Sequence, residues 1–140
     1  MNVLVKIVVA LIISGISFQI KAQENYNITV TVENVSSNDG QLFLALYNSE
    51  TDFLETIFKG TKSEITNHSC TIIFENIPKG TYAVSIFHDE NNNGKLDTNF
   101  FGIPNEDYGC SNNAKGFMGP PKWQDAKFKL NTNKILLITL

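Results

Sequence analysis

From residue 26 onward, apolar and polar residues alternate in several short segments of the chain. In the first of these segments Ile28, Val30 and Val32 share one face, and the polar residues between them face the other way. A period of two with β-branched residues predicts a half-buried β-strand. Similar patterns predict further strands at 41–47, 70–74, 81–87, 126–130 and 135–140.

Turn sequences separate these segments, among them Asp39-Gly40, a pair that favours hairpins. Six or seven short strands without a long helix predict a single all-β domain, an antiparallel β-sandwich of about seven strands. The strand at 41–47 is apolar on both faces, with leucines on one face and two aromatic residues and an alanine on the other. We therefore expect it to lie centrally in a sheet and to be covered on both sides.

Two longer stretches lack the strand pattern. In 48–67, apolar residues spaced three and four apart predict a short helix or a loop packed on the sheet edge. The 28 residues between Asp97 and Ala126 exceed the length of about 12–15 residues beyond which unstructured loops are uncommon in compact domains. This stretch has too many aromatic residues for disorder, namely Phe100, Phe101, Tyr108, Phe117 and Trp123. We predict one long ordered loop that folds back on the sandwich.

Residues 1–22 differ from the rest of the chain. Lys6 precedes the apolar run 7–13, and small residues follow up to Ala22. This order is typical of a secretory signal peptide, and the apolar run is shorter than the about 20 residues that a membrane span needs. The alternative is an uncleaved anchor. We expect cleavage after Ala22, a mature domain at 23–140 that is not transmembrane, and a secreted, periplasmic or other cell-envelope location.

The charge of the chain argues against two classes of partner. Without Lys6 and Lys21, nine lysines stand against 14 acidic residues, a net charge of −5, and the chain contains no arginine. Because nucleic-acid binding normally needs a basic face, the composition excludes that function. Attraction to anionic lipid is excluded for the same reason.

The segment HDENNNGKLD, residues 88–97, has the spacing of an EF-hand calcium loop. In that loop alternate residues turn their oxygens towards the ion, and a glycine at the sixth position, here Gly94, permits a sharp turn. Counted from its first acidic residue, the first, third, fifth, seventh and ninth positions predict these ligands: Asp89, Asn91, Asn93, the carbonyl of Lys95, and Asp97.

The twelfth position departs from this pattern, because Phe100 stands where the EF-hand loop has a bidentate glutamate. Calcium takes six to eight oxygens, so we expect Glu106 or Asp107 to complete the set if the segment that follows folds back. With few carboxylates we expect weak binding, with a Kd of about 10⁻⁴–10⁻³ M. The alternative is an asparagine-rich turn without an ion, since Asn and Gly tolerate left-handed backbone angles.

Two other features leave alternatives open. Cys70 and Cys110 either form a disulfide in an oxidising compartment or remain two separate thiols. Tyr108 and Trp123, with glycines and prolines between them, either form an aromatic platform for a carbohydrate or protein ligand or lie buried under the loop.

Signs of catalysis are weak. The acidic residues in and after the loop offer a carboxylate pair of the glycosidase type, and they are Asp89, Glu90, Glu106 and Asp107. Acids beside asparagines are better explained as ion ligands or solvated loop residues, and no serine lies in a GxSxG motif. We expect a non-catalytic accessory or ligand-binding module; the alternative is a hydrolase acting on a periplasmic or extracellular polymer.

Residues 74–128, FENIPKGTYAVSIFHDENNNGKLDTNFFGIPNEDYGCSNNAKGFMGPPKWQDAKF, resemble the domain of unknown function 2141 family of exported bacterial proteins. The earlier segment GQLFLALYNSETDF, residues 40–53, is similar to the start of the same pattern. The resemblance implies an exported sandwich of the prealbumin or carboxypeptidase-regulatory, Ig-like kind. It implies no activity, because the family has no established function. Cys110 departs from the pattern, in which an aromatic residue is more frequent.

Overall fold

The computed structural model describes residues 2–3 and 22–140, so the predicted signal peptide lies almost wholly outside the described residues. Within these residues eight strands form two sheets, and no helix is long and apolar enough to cross a membrane. The elements are β1 Asn25–Glu33, β2 Gln41–Tyr47, β3 Lys59–Ser63, β4 Cys70–Pro78, β5 Gly80–Asp89, β6 Tyr108–Cys110, a 3₁₀ turn Ser111–Asn113, a helical turn α1 Trp123–Ala126, β7 Phe128–Leu130 and β8 Lys134–Thr139.

The first sheet has the strand order β4-β1-β8. β1 pairs antiparallel with β4 and parallel with β8, so that Val30 lies opposite both Ile72 and Leu136. A parallel pair needs a long connection between its strands, and here the whole second sheet lies between β1 and β8 in the chain. The C-terminal strand is thereby placed beside the first strand of the domain.

The second sheet has the order β3-β2-β5, and the other edge of β5 is shared by two short strands. β7 pairs with the start of β5 at 80–82, and β6 pairs with it at 85–87. Between them the buried hydroxyl of Ser111 accepts the N–H of Val84 (2.9 Å) and donates to the carbonyl of Ala126 (2.6 Å). Ser111 therefore satisfies buried backbone groups where strand pairing is interrupted.

The inner faces of the two sheets share one hydrophobic core. Alternate residues of β1 and β2 enter it, so that Val30 and Leu44, for example, are almost wholly removed from solvent. Burying each side chain of this size stabilises the fold by about 1.5–3 kcal/mol. The alternation seen in the sequence is thus the pattern of core-facing positions.

The all-β sandwich predicted from the sequence is confirmed, and a strand occurs in every segment predicted to form one. Two strands were not predicted. β3, KGTKS, lies at a sheet edge with its side chains largely exposed, so it has no apolar alternation. β6 is only three residues long and lies inside the stretch predicted to be a long loop. The sandwich is also not wholly antiparallel, because β1 and β8 are parallel.

Candidate functional site

The loop at 89–97 begins at the end of β5, and the buried carboxylate of Asp89 closes its first turn. The two carboxylate oxygens accept hydrogen bonds from the N–H groups of Asn93 (3.0 Å) and Gly94 (2.8 Å). Gly94 has a φ of +79°, a backbone angle that favours glycine. Because an unpaired buried carboxylate is costly, these two donors both shape the turn and satisfy Asp89.

The side chains of Asn91, Asn93 and Asp97 meet on the far side of the loop. The amide nitrogen of Asn91 donates to Asp97 Oδ2 at 2.6 Å, and that of Asn93 donates to both carboxylate oxygens at 2.9 Å. The amide oxygens accept the N–H groups of Asn93 (3.0 Å) and Lys95 (2.9 Å). The structure therefore groups the predicted side-chain positions, while the role of the Lys95 carbonyl stays a prediction.

Glu106 lies against the base of this loop. One of its carboxylate oxygens accepts the N–H of Glu90 (3.1 Å), and the other accepts the N–H of Asp97 (2.9 Å). The segment after the loop thus folds back, which was the condition for Glu106 or Asp107 to add oxygens, and Glu106 is the residue whose side chain reaches the loop. Asp107 is exposed and contributes its backbone carbonyl, which accepts the N–H of His88 (2.8 Å).

The turn between β1 and β2 supports the loop through its backbone. The Nε2–H of the buried His88 donates to the carbonyl of Asp39 at 2.7 Å, because a carbonyl can only accept. Gly40 follows with a φ of +71°, and a Cβ atom there would lie 2.0 Å from the carbonyl oxygen of Asp89. Only glycine fits this contact between the turn and the loop.

The side-chain atoms of the loop that could bind a metal ion are all oxygens. Within residues 2–3 and 22–140, no three His, Cys, Asp or Glu side chains are grouped so as to hold a metal ion. A cation at 89–106 would therefore also need asparagine and backbone carbonyl oxygens, which are donors that calcium accepts. Asp89 and Glu106, which belong to the carboxylate set considered for hydrolysis, each accept two backbone N–H groups instead.

The long loop is ordered in two excursions from the sheet. The first turns back by pairing Thr98 with Pro104, and the side chain of Asn99 accepts the N–H groups of Phe101 and Ile103. The second spans 114–121, between the 3₁₀ turn and α1, and carries Phe117 and Met118. Each excursion exposes large apolar side chains at its tip, and they are Phe100, Phe101, Phe117 and Met118.

A groove of about 1090 Å³ lies between these excursions and the outer face of the second sheet. One row of paired residues crosses four strands of its floor, in the order Lys62, Phe43, Phe87, Tyr108. The rings of Phe43 and Phe87 stack at 4.8 Å between centroids, and the ammonium of Lys62 lies 4.3 Å from the centre of the Phe43 ring. The next row on the same face has small residues, Gly60, Ala45 and Ser85.

This groove was not predicted from the sequence. The second apolar face of β2 was visible, but it was interpreted as a covered face, and Lys62 lies in the strand that was not predicted. The signal that could have revealed the groove is Gly60 and Ala45 beside Phe43 on that face, because small side chains leave space that large ones would fill.

The aromatic platform of Tyr108 and Trp123 is not formed. Trp123 is only 8% exposed and packs edge-on against Phe53 at 5.6 Å between ring centroids. It belongs to a second apolar cluster on the outer side of the sheet, with Tyr47, Ala83, Cys110 and Ala126. Burial under the loop is therefore the correct alternative for Trp123, whereas Tyr108 is exposed and lines the groove.

The disulfide considered for Cys70 and Cys110 is not formed either, and both residues are buried free thiols. Cys70 lies in the core between the sheets, whereas Cys110 lies in the second cluster. The sequence could not separate the two alternatives, because the pairing depends on which face of which sheet each cysteine occupies. Burial raises the pKa of the Cys110 thiol to about 12 and also raises the pKa of Cys70.

A family described as an uncharacterized protein conserved in bacteria (DUF2141) matches residues 30–136. The chain belongs to this family. The matched region runs from β1 to β8 and includes the loop at 89–97, Glu106 and the groove. Searches of curated proteins and of solved structures found no match. The family description names no activity, and the resemblance seen in the sequence is thereby confirmed at the level of the family alone.

Proposed function

We propose that this chain is an exported, non-catalytic ligand-binding module of the cell envelope whose long loop is held by one calcium ion. Export rests on the signal peptide predicted at 1–22. The observation that supports the calcium ion is the meeting of Asp97 with two asparagine side chains while Glu106 folds back onto the same loop.

Six residues would each supply one oxygen, and six is the minimum of the six to eight oxygens that calcium takes. They are Asp89, Asn91, Asn93, the carbonyl of Lys95, Asp97 and Glu106. Three of them, Asp89, Asp97 and Glu106, are carboxylates, and their negative charges would attract a divalent cation. The loop follows a strand and is flanked by no helix pair that could open, so the ion would stabilise the long loop rather than operate a switch.

Thermal unfolding with calcium, with magnesium and with a chelator tests this proposal. At a calcium concentration ten times its Kd, binding to the folded state alone stabilises it by about 1.4 kcal/mol. For a domain of this size we expect Tm to rise by about 4–8 °C. Magnesium should give a smaller rise, because it demands a tighter octahedral geometry than an asparagine-rich loop offers.

Asp97→Asn should abolish most of the calcium-dependent rise, because it removes one charged ligand with little change of shape. Asp125→Asn is the matched control, since Asp125 is an exposed acid of α1 outside the loop, and it should retain the full rise. Coincident melting curves of the unsubstituted protein in calcium and in chelator would rule out the calcium ion.

The hydrolase alternative gains nothing from the described residues. The carboxylates of Asp89 and Glu106 accept backbone N–H groups of the loop, and they lie at the loop rather than in the groove. A general acid or base must instead reach the atom whose proton it transfers.

A further inference from the structure

The groove has the size and lining of a small-molecule site. Its volume of about 1090 Å³ lies slightly above the range of about 300–1,000 Å³ that ligand pockets span. Its floor is the outer face of β2 and β5, with the stacked rings of Phe43 and Phe87 beside the small side chains of Ala45 and Ser85. An apolar molecule could therefore lie flat on the sheet.

Lys62 contributes a positive charge to the groove. Among the described residues that line it, no other side chain is charged, and no described carboxylate forms a salt bridge with Lys62. Its ammonium lies over the ring of Phe43 at one end of the floor. In a mature domain with an expected net charge of −5, this unpaired cation beside an apolar floor is complementary to an apolar anion.

The length of the floor limits the ligand. Along the strands the floor is short, because the hydroxyl of the buried Tyr47 bonds to Ser85 (3.2 Å), which lies in the row next to Phe43. Across the strands the row from Lys62 to Tyr108 spans about 14 Å, since neighbouring strands lie about 4.8 Å apart. An extended alkyl chain of medium length fits this span.

The roof of the groove carries apolar side chains that the protein itself does not cover. Phe101 and Met118 line the groove from the two excursions but are 82% and 95% exposed. Large apolar side chains exposed together are typical of binding sites. An apolar ligand that fills the groove would contact both of these side chains.

We propose that this groove binds an apolar small molecule with one carboxylate, of the fatty-acid type, with the chain on β2 and β5 and the carboxylate at Lys62. This assignment rests on the proposed function in that it names the ligand class of the binding module. It does not require the calcium ion, because the floor belongs to the sheet and Lys62 to β3.

Calorimetric titration with dodecanoate, below the concentration at which it forms micelles, tests the assignment, and dodecanol serves as the uncharged probe of equal length. We expect dodecanoate to bind about fivefold more tightly than dodecanol, the difference that a partly exposed ion pair provides. Lys62→Gln should remove this preference. Lys129→Gln, at an exposed lysine of β7 away from the groove, should leave it unchanged.

Gly60→Leu places a side chain on the floor, and its Cβ would meet only ordinary van der Waals contacts, so the variant should fold. It should weaken both probes more than tenfold, since a leucine there occupies the space of the alkyl chain. Ala45→Phe provides a second blocked floor in case one variant unfolds, and a thermal melt reports folding for each.

Three outcomes would overturn the assignment. The first is equal affinity for both probes that is insensitive to Lys62→Gln. The second is binding unchanged by both floor variants, which would place the probe elsewhere, at the exposed tips. The third is that dodecanoate does not bind and the protein self-associates in solution. In that case a second copy of the chain would be the occupant of the groove.

Titrations repeated in chelator separate this assignment from the calcium proposal. Binding of dodecanoate without any effect of calcium on Tm would overturn the calcium ion and leave the groove assignment standing. A calcium-dependent Tm without binding of dodecanoate would overturn the groove assignment and leave the calcium proposal standing.

Discussion

The two faces of β2 differ although both are apolar in the sequence. The inner face, with Leu44 at its centre, is closed by the first sheet and is almost wholly buried. The outer face is closed only at its far end, where Tyr47 joins the Trp123 cluster, and it is open at Phe43. An apolar face therefore indicates where a strand can be covered, and it does not establish that the protein itself covers it.

The reason for the difference lies in how each covering layer is held. Apolar packing holds the first sheet over the inner face, so the contacts that bury this face are also the contacts that stabilise the fold. The first excursion of the long loop is instead held by hydrogen bonds between carboxylates and backbone N–H groups at Asp89 and Glu106. Because these bonds anchor the loop at its base, its apolar tips need not pack on the sheet, and a groove remains.

The largest effect should come from the inner face. Leu44→Ala is expected to lower the free energy of unfolding by about 2–5 kcal/mol, the loss typical of a buried leucine. Phe43→Ala, at the neighbouring position on the outer face, should cost less, because Phe43 is only partly buried and its stacked pair with Phe87 contributes about 0.5–1.5 kcal/mol. Urea unfolding of both variants measures the two losses. Equal losses would mean that the outer face is covered as completely as the inner one.

A single methyl group added at Gly40 should disrupt the contact between the β1–β2 turn and the loop and lower the stability of the domain. Gly40→Ala forces a left-handed angle on alanine and places its Cβ 2.0 Å from the Asp89 carbonyl oxygen, so we expect a loss of about 2–5 kcal/mol. Gly94→Ala is the matched control, because its Cβ meets nothing within 4 Å and only the strain of about 1–2 kcal/mol remains. Urea unfolding of both variants measures the difference, and similar losses would contradict a tight packing of the turn on the loop.

The stability of the domain should fall at alkaline pH because of Cys110, which lies at the closed end of the outer face. Burial raises the pKa of Cys110 from 9.0 to about 12, so above pH 9 the unfolded chain loses this proton while the folded chain keeps it. The folded state is therefore destabilised as the pH rises from 9 towards 12, by about 1 kcal/mol between pH 9 and pH 10 from this group alone.

Unfolding free energies at pH 9 and pH 10 measure this change in stability. Cys110→Ala should reduce the difference by the same amount, whereas Cys70, whose pKa is also raised by burial, should continue to contribute in that variant. An unchanged difference in Cys110→Ala would mean that the thiol at Cys110 is accessible to water.

Part of the site was predictable because its pattern is local. Asp89, Asn91, Asn93 and Asp97 are linked by hydrogen bonds that span two to six residues, so their spacing in the sequence already describes their arrangement. The expected need for further oxygens pointed to Glu106 or Asp107, and the fold shows that the side chain of Glu106 is the one that reaches the loop. Both inferences concern geometry, and the identity of the ion stays a prediction.

The sequence alone determined the sandwich, because alternation with a period of two reports which side of a strand faces a core. It also determined the shape of the loop at 89–97, because asparagine, aspartate and glycine set backbone angles within a few residues. Tertiary structure decided the rest: the parallel pairing of β1 with β8, the separate burial of Cys70 and Cys110, and the open floor at Phe43. Each of these depends on segments distant in the chain that meet in space, and no local pattern encodes which surface another segment leaves uncovered.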